Sequence, residues 1–172
     1  KGRLRHAFAE ILGGLLSIAV YTKYGASFLS VFIFMLALCL IVSAFIDIDT
    51  KTIPGGVILF MLIPSAGLFF LLPEVSAVSH ITGLFSISLP MLLTALAVPD
   101  GFGGGDIKLM AVCGFALGFK LSVFAALTAV FTGGIFAAFL MASGELKRGG
   151  RMAFGPFISF GFFSVLTPQH GI

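Results

Sequence analysis

Residues 27–46 have the sequence SFLSVFIFMLALCLIVSAFI, which contains no charged side chain. An α-helix needs about 20 predominantly apolar residues to cross the hydrocarbon core of a bilayer. The stretch therefore predicts a membrane-spanning helix, and it is the clearest of its kind in the chain.

Composition extends this prediction to the whole chain of 172 residues, of which 59% are hydrophobic. The 22 glycines raise the share to about 72%, against roughly 45–50% in soluble domains. Charged residues make up 10%, and a soluble fold of this length cannot bury so much apolar surface. We expect an all-α, polytopic integral membrane helical bundle forming a single domain over residues 1–172. A net charge of +3 gives no reason to expect a nucleic-acid partner.

Apolar stretches predict about seven transmembrane helices. They cover residues 7–21, 27–46, 55–72, 78–98, 107–119, 121–142 and 153–166. Pro64 and Pro90 lie inside two of them and predict bends. Because some stretches are short or interrupted, we expect that not every helix crosses the bilayer alone.

The distribution of lysine and arginine predicts the orientation, because cytoplasmic loops are enriched in these residues. Seven spans place eight basic residues on one side, and only Lys23 and Lys120 on the other. We therefore expect the N-terminus and the loops 47–54, 99–108 and 143–152 to face the cytoplasm. The eight are Lys1, Arg3, Arg5, Lys51, Lys108, Lys147, Arg148 and Arg151.

Carboxylates near a bilayer are costly and tend to be functional. Of the seven, Glu74 and Glu145 are expected to be solvated in loops. Two clusters remain on the predicted cytoplasmic side, Asp47 with Asp49 and Asp100 with Asp106. Two carboxylates from distant positions can act as an aspartyl hydrolase: one is ionised and accepts a proton from water, and the other is protonated and polarises a carbonyl. This chemistry needs no metal, and Cys39 and Cys113 have no CxxC spacing that would predict a zinc site.

Residues 99–108, PDGFGGGDIK, contain a Gly-x-Gly-Asp sequence that ends at Asp106. Glycines allow an extended substrate backbone to lie close to a carboxylate. The alternative from the residues alone is a flexible loop in which Asp106 caps the following helix.

Four segments together resemble the type 4 prepilin peptidases. Residues 45–54, FIDIDTKTIP, resemble the first aspartate motif, and residues 103–109, GGGDIKL, the second, known as GxGD. Residues 6–13 are similar to the opening helix of the family, and residues 153–157, AFGPF, to its last helix. The resemblance implies an aspartyl endopeptidase of the bacterial inner membrane that removes the basic leader of type IV prepilins or type II secretion pseudopilins at the cytoplasmic face.

The chain also departs from the full-length pattern of the family. It lacks the N-terminal helix and the cytoplasmic segment with two CxxC pairs, and it begins with Lys1, as a fragment would. The resemblance implies no cofactor for proteolysis, and S-adenosylmethionine only if the chain also methylates its product. The expected partners are a prepilin or pseudopilin and the lipid bilayer, and the sequence does not determine the oligomeric state.

Asp47 and Asp106 are our predicted catalytic residues. Two residues of a helix are separated by about 200° of rotation, so Asp47 and Asp49 cannot both face Asp106. The family spacing, with the first aspartate seven residues before Pro54, selects Asp47. The residues predicted to support the site or to contact substrate are Asp49, Lys108, Gly103, Gly105 and Glu10. Asp100 is expected to cap or solvate the loop.

Other classes of membrane protein remain as alternatives. A small proton- or cation-coupled transporter would use the aspartates at broken helices, and it would need carboxylates near the midplane and a repeat between the halves. A GxGD protease that cuts transmembrane helices would resemble a Tyr-Asp first motif, which is absent here. An inactive membrane scaffold is the third alternative.

Overall fold

The structure, a computed structural model, describes residues 2–98, 102–144 and 152–166, with side chains from residue 9 onward. Asp100, Glu145 and the three basic residues of the 143–152 loop lie outside the described residues. The described part is all-α, as predicted. Its helices are α1 (Gly2–Tyr24), α2 (Phe28–Thr50), α3 (Gly55–Leu71), α4 (Ala77–Ser86), α5 (Ser88–Ala97), α6 (Gly104–Leu117), α7 (Phe119–Ala142) and α8 (Gly155–Leu166).

Each predicted apolar stretch contains at least one helix, and the helices differ in length. Within the described residues, three segments are long and apolar enough to cross a membrane: Phe28–Thr50, Ala77–Ala97 and Phe119–Ala142. The apolar helices α3 and α8 have 17 and 12 residues. The helices thus fit a membrane bundle in which some members do not cross the bilayer alone.

The two prolines have different effects on their helices. The fourth stretch, which we expected to bend, is interrupted at Ile87, which separates α4 from α5. Pro90 follows three residues later, and a proline has no N–H to donate and a ring that crowds the carbonyl four residues back. The hydroxyls of Ser86 and Ser88 donate to backbone carbonyls one turn earlier, which satisfies acceptors near the break. In contrast, α3 continues through Pro64 as one helix.

Helix α6 lies at the centre of the bundle, packed against α3, α4, α5, α7 and α8. Its contact with α4 is a crossing of two glycines, Gly83 and Gly114. A Cβ atom on either residue would collide with the carbonyl oxygen of the other. Small residues of this kind let helix backbones approach closely where lipid gives no hydrophobic driving force.

Contacts between helix ends define two ends of the bundle. At one end the amide of Gly155, the first residue of α8, donates to the Asp47 carboxylate near the end of α2, at 2.7 Å. At the other end the ammonium of Lys23, near the end of α1, donates to the carbonyl of Leu166, 3.0 Å away, at the end of α8. We call the first of these the aspartate end.

We predict that Gly114→Ala lowers the thermal stability of the purified protein, because the added methyl group forces α4 and α6 apart. Overpacking of this kind typically costs about 1–3 kcal/mol. Gly134→Ala is the matched control, since a Cβ there meets no atom within 4 Å. Thermal unfolding in one detergent measures both variants, and equal melting temperatures would contradict the close crossing.

Candidate active site

The last turn of α2 separates the two neighbouring carboxylates. Asp47 is buried, with 3% of its surface exposed, whereas Asp49 is exposed. The rotation of about 200° between the two positions puts them on different sides of the helix. Lys51 caps the end of the helix: it has a left-handed backbone (φ 53°) and donates its amide to the carbonyl of Asp47 at 2.8 Å. This turn leads into α3 and keeps Asp47 at the helix end.

Backbone amides at the start of α8 hold the side chain of Asp47. The amide of Gly155 donates to Asp47 Oδ2 at 2.7 Å, and the backbone of Phe154 also hydrogen-bonds the carboxylate. Because an amide N–H can only donate, these bonds fix the carboxylate as an acceptor. They compensate part of the cost of burying a charge.

Asp106 occupies the first turn of α6 and is also buried, with 9% of its surface exposed. The residue that caps this helix is Gly103, so the alternative in which Asp106 itself is the cap is wrong. Asp106 is three residues further on and accepts a hydrogen bond from the backbone of Gly103, which is half of a capping box. Its other oxygen, Oδ1, is buried and has no hydrogen-bond partner among the described residues.

The three glycines before Asp106 have different surroundings. A Cβ on Gly105 would lie 2.9 Å from Cβ of Ile53 and 3.1 Å from its backbone nitrogen. A Cβ on Gly103 would lie 3.0 Å from Asp106 Oδ2, but one on Gly104 meets no atom within 4 Å. The Gly-x-Gly-Asp sequence thus has a steric basis: the loop after α2 packs directly on the start of α6, and only the middle position is open.

Burial and the charge of Asp47 shift the acidity of Asp106. Asp106 directly precedes the apolar stretch 107–119. Its pKa is raised to about 6, mainly because the carboxyl group is buried and to a smaller extent because the charge of Asp47 is nearby. The amide of Gly103 opposes this shift in part. An acid and a carboxylate in one buried site are the arrangement in which two aspartates share one proton.

The remaining predicted residues divide into two groups. Gly103 lies against the carboxylate of Asp106, and Gly105 lies against Ile53 in the loop after α2. The side chains of Asp49, Lys108 and Glu10 are exposed. Sequence reasoning missed Gly155, although it lies in the quoted segment AFGPF. A glycine followed by a proline at a helix start was a signal that this position has a special role.

The part of the chain that the structure describes contains no group of three or more His, Cys, Asp or Glu residues that could hold a metal ion. Cys39 and Cys113 are both free and buried. The burial of Asp47 and Asp106 makes the two carboxylates the candidate site of chemistry.

Comparisons with known proteins agree with the motifs. A model described as the type IV leader peptidase family matches residues 34–138. Three curated relatives are each named prepilin leader peptidase/N-methyltransferase. The relative from Bacillus subtilis (strain 168) is 30% identical over 95% of this chain and 65% of its own length. The relative from Pseudomonas putida is 25% identical over 95% of this chain. The relative from Neisseria gonorrhoeae is 30% identical over 98% of this chain. In both cases the match covers 59% of the relative's own length.

No solved structure matches the chain significantly. The chain spans 59–65% of the length of the three relatives described above. The family match covers more than half of the chain and includes both Asp47 and Asp106. The resemblance found in the motifs is confirmed, and this chain belongs to the type IV leader peptidase family.

Proposed function

We propose that this chain is a membrane aspartyl endopeptidase with Asp47 and Asp106 as its catalytic pair. The observation that carries the proposal is the difference between the two buried carboxylates. Asp47 accepts backbone hydrogen bonds from the start of α8, whereas Asp106 has a pKa raised to about 6 and a buried oxygen without a partner. Such a difference assigns separate roles to the two members of a pair.

In the proposed reaction, the ionised Asp47 accepts a proton from a water molecule, which attacks the carbonyl carbon of the scissile peptide. The protonated Asp106 donates a hydrogen bond to the carbonyl oxygen and stabilises the tetrahedral intermediate. The C–N bond then breaks, and the leaving nitrogen takes a proton from the pair. No covalent bond to the protein forms, and the pair returns to its singly protonated state.

The proposed substrate is a prepilin or pseudopilin, cut between its leader and the mature chain. The names of the relatives support this substrate class, since each is called a prepilin leader peptidase. The distribution of charge supports cleavage at the cytoplasmic face. Lys51 and Lys108 flank the segments of the aspartate end, whereas Lys23 and Lys120 belong to the opposite end. The excess of positive charge on the aspartate side comes from the sequence before Glu10 and from the 143–152 loop, each of which contains three basic residues. The positive-inside rule then assigns the aspartate end to the cytoplasm.

We propose peptidase chemistry for this chain, which needs S-adenosylmethionine only if the chain also methylates its product. A groove of about 250 Å³ runs beside the turn of α2 that carries Asp47. None of the side chains that line this groove is charged, so the groove itself offers no carboxylate to a sulfonium or to ribose hydroxyls. The lining residues are Leu12, Ile41, Ala44, Phe45, Ile48, Pro156, Ser159, Phe160 and Phe163.

Replacing either catalytic aspartate should abolish cleavage. We predict that Asp47→Asn and Asp106→Asn each lower kcat for a purified prepilin by roughly 10³-fold or more, because groups that act as a unit fail together. Product formation by the detergent-solubilised protein, followed by mass spectrometry, measures the effect. Asp49→Asn is the matched control and should retain appreciable activity. If Asp49→Asn is inactive and Asp47→Asn is active, the assignment within the first motif is wrong.

The glycines before Asp106 allow a steric test of the same site. We predict that Gly105→Ala lowers kcat by at least tenfold, because its methyl group pushes the start of α6 away from Ile53. A displacement of about 1 Å in an active site can lower the rate roughly 10²-fold. The methyl group of Gly104→Ala would face open space, so this variant should cleave prepilin at nearly the wild-type rate. Initial rates of prepilin cleavage compare the two variants. Equal losses in both would contradict the packing described above.

The raised pKa of Asp106 predicts the pH dependence of the reaction. Asp106 is protonated below about pH 6 and loses its proton above it. Because the proposed mechanism needs this proton, kcat/KM should fall as the pH rises through about 6. Cleavage rates at low substrate concentration across a pH series measure this profile. Asp49→Asn should leave the profile unchanged, and a rate that increases between neutral and alkaline pH would contradict the role of Asp106.

A further inference from the structure

We propose that Gly155, the first residue of α8, is a positioning residue for Asp47. Its amide holds one carboxylate oxygen, and its missing side chain leaves the space that the carboxylate occupies. The inference rests on the proposed function of Asp47. It adds a third segment of the chain to a site that was predicted from two sequence motifs.

The contact between the two residues leaves no room for a side chain at position 155. The amide nitrogen lies 2.7 Å from Asp47 Oδ2. A Cβ on Gly155 would lie 2.9 Å from the same oxygen and 3.0 Å from the Cβ of Asp47. Real Cβ atoms essentially never approach other atoms below 3.0 Å. A methyl group at this position must therefore displace either the carboxylate or the start of α8.

The surroundings of α8 restrict the second of these movements. The ring of Phe154 lies 5.8 Å from that of Phe102, which directly precedes the glycine loop of Asp106. On the other side, Phe154 packs on α7 at Gly133, where a Cβ would lie 2.8 Å from its ring. The start of α8 is thus fixed between α7 and the Asp106 loop. The carboxylate is the part that yields.

One turn of chain therefore contacts both catalytic segments, Asp47 through backbone amides and the Asp106 loop through an aromatic contact. The amides at the start of a helix also lie at the positive end of its dipole, where a carboxylate is favoured. Holding Oδ2 in this way fixes the plane of the carboxylate, and so the direction in which it accepts a proton from water.

Kinetics separate this role from a contribution to binding. Gly155→Ala should lower kcat for prepilin cleavage roughly 10- to 100-fold, because the carboxylate is misplaced, and it should leave KM unchanged. Gly67→Ala is the control: its methyl group would collide with the ring of Phe32, between α2 and α3, and touches neither aspartate. It should lower thermal stability and retain the wild-type kcat while folded. Wild-type kcat in Gly155→Ala would overturn the proposal.

A double-mutant cycle tests the contact without any use of activity. Gly155→Ala should lower the melting temperature of the full chain, and it should lower it much less in the Asp47→Ala background, where the carboxylate is gone. Melting shifts that simply add would overturn the proposal. A Gly155→Ala protein that folds only when combined with Asp47→Ala would support it. If the wild-type chain cuts no prepilin, the proposed function fails, and the cycle still decides whether Gly155 positions Asp47.

Discussion

Two carboxylates inside an apolar bundle are the constraint on which the rest of the structure depends. A buried charge costs several kcal/mol unless hydrogen bonds or a change of protonation compensate it. Both compensations are present: the backbone of Phe154 and Gly155 holds Asp47, and Asp106 has a raised pKa that favours its neutral form. The end of α2 and the starts of α6 and α8 meet where these two carboxylates lie.

Glycine makes this meeting possible. Gly105 lets the start of α6 lie on the loop that follows α2, and Gly155 lets the start of α8 lie on the carboxylate of Asp47. Further along α6, Gly114 lets α4 cross at the distance of touching backbones. The small residues that pack helices in a membrane thus also shape the proposed active site, since each side chain omitted near the pair leaves room for a carboxylate or for the backbone that contacts it.

Much of this arrangement could be predicted from the sequence. The features that could not be predicted arise from contacts between helices that are far apart in the sequence. Long apolar stretches predict helices because their composition leaves no other way to satisfy the backbone in lipid. Helical rotation alone separates Asp47 from Asp49, whose side chains the structure finds buried and exposed. Pro90 predicted only a bend in the fourth stretch, whereas the structure has a break at Ile87, three residues before the proline. The bond from Gly155 to Asp47 joins residues 108 positions apart, so no local pattern specifies it.

The most direct test of a catalytic site shared by Asp47 and Asp106 is to measure how close the two positions are in the membrane. Cysteines at positions 47 and 106 of the full chain, with Cys39 and Cys113 replaced by alanine, would be treated with a short bifunctional thiol reagent, and the pair at 49 and 106 would serve as control. An intramolecular cross-link should form between 47 and 106, and much more slowly between 49 and 106. Equal reaction of both pairs, or none at 47 and 106, would contradict a shared catalytic site.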